Sequence, residues 1–194
     1  MTLTSCFTTK SYYDLGLKKV ENSENAKEKY SNSKITSFEN EGVTKYNYED
    51  KMIRIEWLPL PTGFSFVLEN KSDNTIKIIW DQAVYVDENG SSNKVIHKGV
   101  KYTERNNSQI PSVIIKKAKI EDMVMPKKNV SYSSGQYGGW RIEPLFDNRP
   151  VVEERRKERE KNISGKNVRI LLPLKIEDII NEYIFTFEIN LSEF

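Results

Sequence analysis

The stretch 63-GFSFVLENKSDNTIKIIWDQAVYVDENG-90 carries a strict period of two. Phe64, Phe66 and Leu68 fall on one side, and Ser65, Val67 and Glu69 on the other. Successive side chains of a strand leave opposite faces of a sheet, so this pattern is a half-buried strand. Asn70-Lys71-Ser72-Asp73-Asn74 follows, built of residues whose side chains bond their own backbone and turn the chain. Ile76, Ile78 and Trp80 make a second strand, and residues 83–87 a third. Glu88-Asn89-Gly90 turns the chain again, with Gly90 free to take a positive φ. Strands so close in sequence pair as antiparallel neighbours.

The same period runs outward in both directions. Residues 43–49 alternate Val43, Lys45, Asn47 and Glu49 with Thr44, Tyr46 and Tyr48. Next, 52-MIRIEWLPL-60 sets Ile53, Ile55 and Trp57 on one face, and Pro59 and Pro61 end it, because proline cannot donate to a ladder. Residues 94–97 return, and Gly99 closes that element. Residues 101–111 read as a surface loop, and 113–117 and 120–125 as short strands stopped by Pro126. The segment 131-SYSSGQYGGW-140 reads as a flexible loop. The clearest strands are 167-NVRILLPLKI-176 and 182-EYIFTFEINL-191, where Tyr183, Phe185, Phe187 and Ile189 share a face. Between them and the loop, residues 149–165 form a charged insert with no apolar stripe after Val152, either a solvated helix or a mobile segment. Pro150 suits a first helical turn, and Glu153 and Glu154 attract Lys157 at helical spacing. Nine or ten strands with at most one exposed helix predict an all-β chain, an antiparallel β-sandwich or barrel over residues 43–194.

Composition narrows the function. The chain has 194 residues, 37% hydrophobic and 30% charged, with net charge +2. A domain of this length buries a core without disulfides or metal. Its 30 bases are nearly balanced by 28 acids, a mixture that is not the concentrated basic footprint of a nucleic-acid binder, so nucleic acid is not the expected partner. No apolar run approaches the length of a spanning helix. One cysteine forms no internal disulfide, which excludes an antibody-type domain with its inter-sheet bridge. His97 is the only histidine, so neither a Cys/His zinc site nor a Cys6–His97 nucleophile pair is expected, and His97 reads as a strand-end polar residue. Asp81, Asp87, Glu88 and Asn89 gather oxygens around a hairpin, and Glu121 and Asp122 form a smaller group. Turn chemistry explains both better than calcium, since no calcium-loop spacing is present. With 28 acids, carboxylate pairs for glycoside hydrolysis are uninformative. No nucleophile elbow or phosphate-cradling loop occurs. The expectation is a protein with no catalytic residues, metal or cofactor. Trp57 and Trp80 read as core or sheet-edge residues. Tyr132, Tyr137 and Trp140, clustered in a loop, are the candidate contact residues, because aromatics supply area at low entropic cost.

The run from Phe64 to Gly99, with its alternating strand, Asn-led polar turn, Trp80-Asp81, Tyr85-Val86-Asp87 and Asn89-Gly90, resembles the middle of uncharacterised bacterial lipoproteins with an immunoglobulin-like β-sandwich. It resembles more remotely the sandwich domains of desiccation-associated proteins. The resemblance extends from Tyr48 to Ile189, interrupted by the charged insert. It implies an immunoglobulin-like fold and a membrane-tethered, periplasmic or surface-facing module, and it brings no catalytic residues.

The N-terminus adds to this. Leu3-Thr4-Ser5-Cys6 resembles a lipobox, in which small residues precede a cysteine whose thiol takes a lipid. Residues 18–34 are rich in Lys, Glu, Asn and Ser, a composition that cannot order itself by burial. Residues 1–42 therefore read as lipobox-like residues and a polar tether. Only Met1 and Thr2 precede Leu3, so this reading expects a basic and apolar leader encoded upstream of Met1. The expected function is a non-enzymatic, lipid-anchored cell-envelope protein. Its expected partners are the membrane, through Cys6, and an envelope protein or glycan. The alternatives are a cytosolic β-sandwich scaffold and a carboxylate-based hydrolase.

Overall fold

A computed structural model describes residues 8–22 and 33–192. The first seven strands are β1 (Thr8–Thr9), β2 (Tyr13–Asn22), β3 (Lys34–Asn40), β4 (Val43–Glu49), β5 (Ile53–Leu60), β6 (Gly63–Asn70) and β7 (Ile76–Ile78). The next seven are β8 (Val84–Val86), β9 (Ser92–Ile96), β10 (Ser112–Ile114), β11 (Lys119–Pro126), β12 (Val130–Ser133), β13 (Gly139–Ile142) and β14 (Val151–Val152). The helix α1 (Glu153–Ile163) follows, and then β15 (Asn167–Ile176) and β16 (Ile179–Leu191). The chain is mostly antiparallel β, as its alternation predicts.

Twelve of these strands form one sheet. On one side β2, β16 and β15 lie together. The far edge of β15 is shared: β8 pairs with its residues 169–171, and β7 with residues 174–176. Pro173 sits at the break between the two, where no continuous ladder is needed. From β8 the sheet passes through β9 to β11, and so to β6, β5, β4 and β3 on the opposite side. The sheet curls back until β4 approaches β2, but no ladder joins them. The result is a near-barrel, open along the seam between β2 and β4 and again beside β10, which among the described residues ladders only with β7.

Alternation fills the interior. Val168, Ile170, Leu172 and Leu174 of β15 and Tyr183, Phe185, Phe187 and Ile189 of β16 are all completely buried. They meet Ile53, Ile55 and Trp57 of β5 and Phe64, Phe66 and Leu68 of β6. The Trp57 indole lies 5.0 Å from the rings of both Phe66 and Phe185, joining the two sides. Below it Asp50 is buried and fully engaged. Its Oδ1 accepts the N–H groups of Met52 and Ile53, and its Oδ2 the hydroxyls of Tyr48 (3.1 Å) and Tyr183 (3.0 Å). Burial, and then the Asp50 charge, push the Tyr48 phenol far upward, so it stays a donor.

The structure corrects the expected tether over residues 1–42. Residues 13–22 are strand β2, which pairs with β16 from Tyr13↔Leu191 to Asn22↔Tyr183 and buries Leu15 and Leu17. Residues 34–40 are strand β3, paired with β4. Residues 23–32 lie outside the described residues. A second correction concerns residues 131–140, which form the hairpin β12–β13 rather than a loop. The charged insert is a helix over residues 153–163. It buries only Ile163, and an exposed Glu153–Lys157 ion pair of 2.7 Å forms at the expected spacing.

Removing the indole that joins the two sides should be felt across the whole fold. Trp57→Ala is expected to cost about 3–5 kcal/mol in urea denaturation. A surface change such as Lys127→Ser should stay within about 0.5 kcal/mol of the parent chain.

Candidate functional site

The three aromatic residues singled out in the sequence lie on the β12–β13 hairpin. Val130 opposes Ile142, and Tyr132 opposes Trp140. Cross-strand partners share a face, so these two rings touch, 5.3 Å apart and edge to face. Tyr137 does not join them. It stands at the hairpin tip, 88% exposed, while Tyr132 is 61% exposed and Trp140 half-buried. The tip needs glycine at two places. Gly135 holds a φ of +117°, and a Cβ on Gly138 would meet the Ser133 carbonyl oxygen at 2.4 Å.

The hairpin is held at its root. Val130 packs with Ile96 and Met125 in a small cluster separate from the main core, and Trp140 closes over it. The Asn129 side chain donates to the carbonyls of Glu143 (3.2 Å) and Pro144 (3.1 Å), clamping the two strands where they meet. Trp140 is also braced from the loop before β10. The Tyr102 ring lies 5.7 Å away, and the Arg105 guanidinium sits 4.8 Å from the indole centroid, a cation–π contact. Arg105 is itself fixed by donating to the Tyr102 carbonyl, at 3.0 Å.

Arg105 links the aromatic face to a cleft of about 470 Å³ beside it. Lys94, Lys127 and Lys128 line this cleft with Arg105. Lys128 is held by Asp87, at 2.5 Å. Burial opposes ionisation of Asp87, but Lys128 and the N–H groups of Ser91 and Asn89 outweigh it and hold the carboxyl below its usual range. Asp87 is thus committed to its turn and to Lys128. Asp81 is committed elsewhere, to the Ser108 hydroxyl and the Gln109 N–H. Among the described residues, no group of three or more His, Cys, Asp or Glu is placed to hold a metal ion.

The chain leaving the hairpin is pinned to the barrel. Leu145 donates to the Pro61 carbonyl, and Phe146 is buried against Tyr13. Asp147 then takes Arg149 at 2.8 Å and Arg159 of α1 at 3.3 Å. The charged helix thereby fixes the return leg of the hairpin.

His97 has a partner that its lone occurrence concealed. Its Nδ1 lies 3.2 Å from Oδ2 of the buried Asp122, and its ring stacks on Trp80 at 4.3 Å. The other Asp122 oxygen accepts the N–H groups of Lys98 and Met123. Asp122 is the only side chain among the described residues that hydrogen-bonds His97, and together with the Trp80 stack it fixes the ring in place. Cys6, the expected lipid site, lies outside the described residues. Arg105, Tyr102 and the cleft lysines carry no motif. The only signal in the sequence is the Lys127-Lys128 pair directly after Pro126.

No protein-family model, curated protein or solved structure matches this chain.

The Asp147 clamp sets a titration. Its carboxyl lies at about 2, mainly because it accepts from Arg149, with burial opposing and Arg159 adding to the effect. A folded value below the usual 3.8 means that the clamp contributes fully above that pH and is lost as pH falls toward 2. Carboxyl-carbon NMR should find the Asp147 midpoint near 2 in the parent chain. In Arg149→Ala it should move toward 3.8.

Proposed function

We propose that this chain is a non-enzymatic binding module of the cell envelope, and that its β12–β13 hairpin engages an acidic protein or glycan. One observation carries the reading. Two exposed tyrosines stand on a rigidly braced hairpin, beside a cleft lined by Lys94, Arg105, Lys127 and Lys128. The tyrosines supply contact area that loses little freedom on binding, and the cations select a partner of opposite charge. Lys127 has no ion-pair partner among the described residues and is free to meet a ligand. In this reading the β2–β16–β15 and β4–β5–β6 faces act as the two layers of an immunoglobulin-like sandwich. They present the hairpin from one flank. The membrane tether in this reading is a lipid on Cys6, suggested by Leu3-Thr4-Ser5-Cys6.

Two polyanions probe the surface: immobilised dextran sulfate for a glycan and polyglutamate for a protein. The parent chain is expected to bind one of them at low salt and to release it as salt rises. Tyr137→Ala and Lys127→Glu should each weaken that binding about tenfold, roughly the value of one good contact, with the fold unchanged by circular dichroism. Failure to bind either polymer, or equal binding by both variants, would remove the hairpin from the proposal.

The anchor is tested separately. Expressed from its own gene and fed an alkyne fatty acid, the protein should become labelled, and Cys6→Ala should abolish the label. A labelled Cys6→Ala variant, or an unlabelled parent chain, would dismiss the lipid anchor.

A further inference from the structure

The open seam of the barrel holds a cleft of about 530 Å³ between β2 and β4. Small-ligand sites span roughly 300–1,000 Å³, usually with apolar walls and a few converging polar groups. Both features are present. Asp14 of β2 and Asn190 of β16 are partners in register, so their side chains leave the sheet side by side. Tyr46 reaches in from β4. Gly16 lies on the same face of β2, two residues beyond Asp14, and its missing side chain leaves the space between these groups empty. A Cβ there would stand 3.6 Å from Asn190 Nδ2 and 3.7 Å from the Tyr46 hydroxyl.

None of these three side chains has a hydrogen-bond partner among the described residues. Burial, and after it the Asp14 charge, push the Tyr46 phenol upward, so its hydroxyl stays protonated and able to donate. The set therefore offers a charged acceptor, an amide that both donates and accepts, and a phenolic donor. Pro59, Pro61 and Phe146 supply apolar surface in the same lining. Asp14 is the one charged residue in the lining.

This lining suits a ligand with several neighbouring hydroxyls, which can donate to Asp14 and exchange bonds with Asn190 and Tyr46, and with one apolar face. We infer that the seam cleft binds a neutral sugar ring, whose adjacent hydroxyls bond Asp14, Asn190 and Tyr46 while its C–H face lies against Pro59, Pro61 and Phe146. An extended peptide would instead bring its own N–H and C=O groups, and would seek the edges of β2 and β3 that carry no ladder among the described residues rather than three side chains. The site shares Phe146 with the chain leaving the hairpin but none of the hairpin's tyrosines or the cations beside it.

Saturation-transfer NMR on the full chain tests the assignment, with the methyl glycosides of glucose, galactose, mannose and N-acetylglucosamine as probes. At least one glycoside should receive transfer, with little dependence on salt. Gly16→Val fills the gap with a residue that strands favour, and should weaken binding about tenfold or more. Asp14→Ala, at an exposed position, should do the same and decides the question if Gly16→Val does not fold. Tyr137→Ala and Lys127→Glu should leave glycoside binding unchanged, which separates this site from the hairpin. Absence of transfer to all four glycosides, or transfer that survives in folded Gly16→Val and Asp14→Ala, would overturn the inference.

Discussion

The indole of Trp57 is the piece on which both the core and the seam depend. It touches Phe64 and Phe66 on its own side of the barrel and Phe185 and Phe187 on the other, at 5.0–6.3 Å and mostly edge to face. Such contacts add to the burial of area, and here they join strands far apart in sequence. Trp57 is also the last β5 residue that pairs with β4, opposite Tyr46. Beyond it comes Pro59, with no N–H to extend that ladder, and β5 continues against β6 alone. Freed from β5, the first residues of β4 run past β2 without pairing. Packing at Trp57 closes the barrel, and the proline two residues later opens its seam.

Asp50 does the complementary work below the aromatic cluster. A buried carboxylate is costly unless its oxygens are engaged, and this one accepts two backbone N–H groups and two phenols. The N–H groups come from the β4–β5 turn, and one phenol, Tyr183, comes from β16. The turn and the last strand are therefore joined by a polar link as well as by packing. A shifted register of β16 would leave the charge unpaired, so the link specifies the pairing as much as it stabilises it.

Most of the barrel was legible because its strands have one wet face and one dry face. Where the dry face is short, the pattern disappears. In β2, YDLGLKKVEN buries only Leu15 and Leu17, and its other residues have the composition of a tether. What makes it a strand is the long apolar β16 beside it, and that relation is not local. KITSFEN of β3 has no buried residue at all, since among the described residues it ladders only with β4. The β12–β13 hairpin was hidden by its glycines, which serve its tight tip and not flexibility. Tyr132 and Trp140 were visible as candidates, but the bracing by Tyr102 and Arg105 links them to a loop some thirty residues earlier, which periodicity does not encode. The acid partner of His97 was hidden in the same way.

The seam shows why a site can be invisible in sequence and plain in structure. Asp14, Gly16, Tyr46 and Asn190 belong to three strands, and each is ordinary where it stands: a charge and an amide near strand ends, a small residue, a half-buried tyrosine. Their meaning arises from register, which sets Asp14 beside Asn190 and brings Gly16 under Tyr46. A barrel optimised only for stability would pair β2 with β4, put a branched residue at Gly16 and leave no polar group unanswered. This chain does none of these at the seam. Departures of that kind, made by several strands together around one cleft, are where folds carry function.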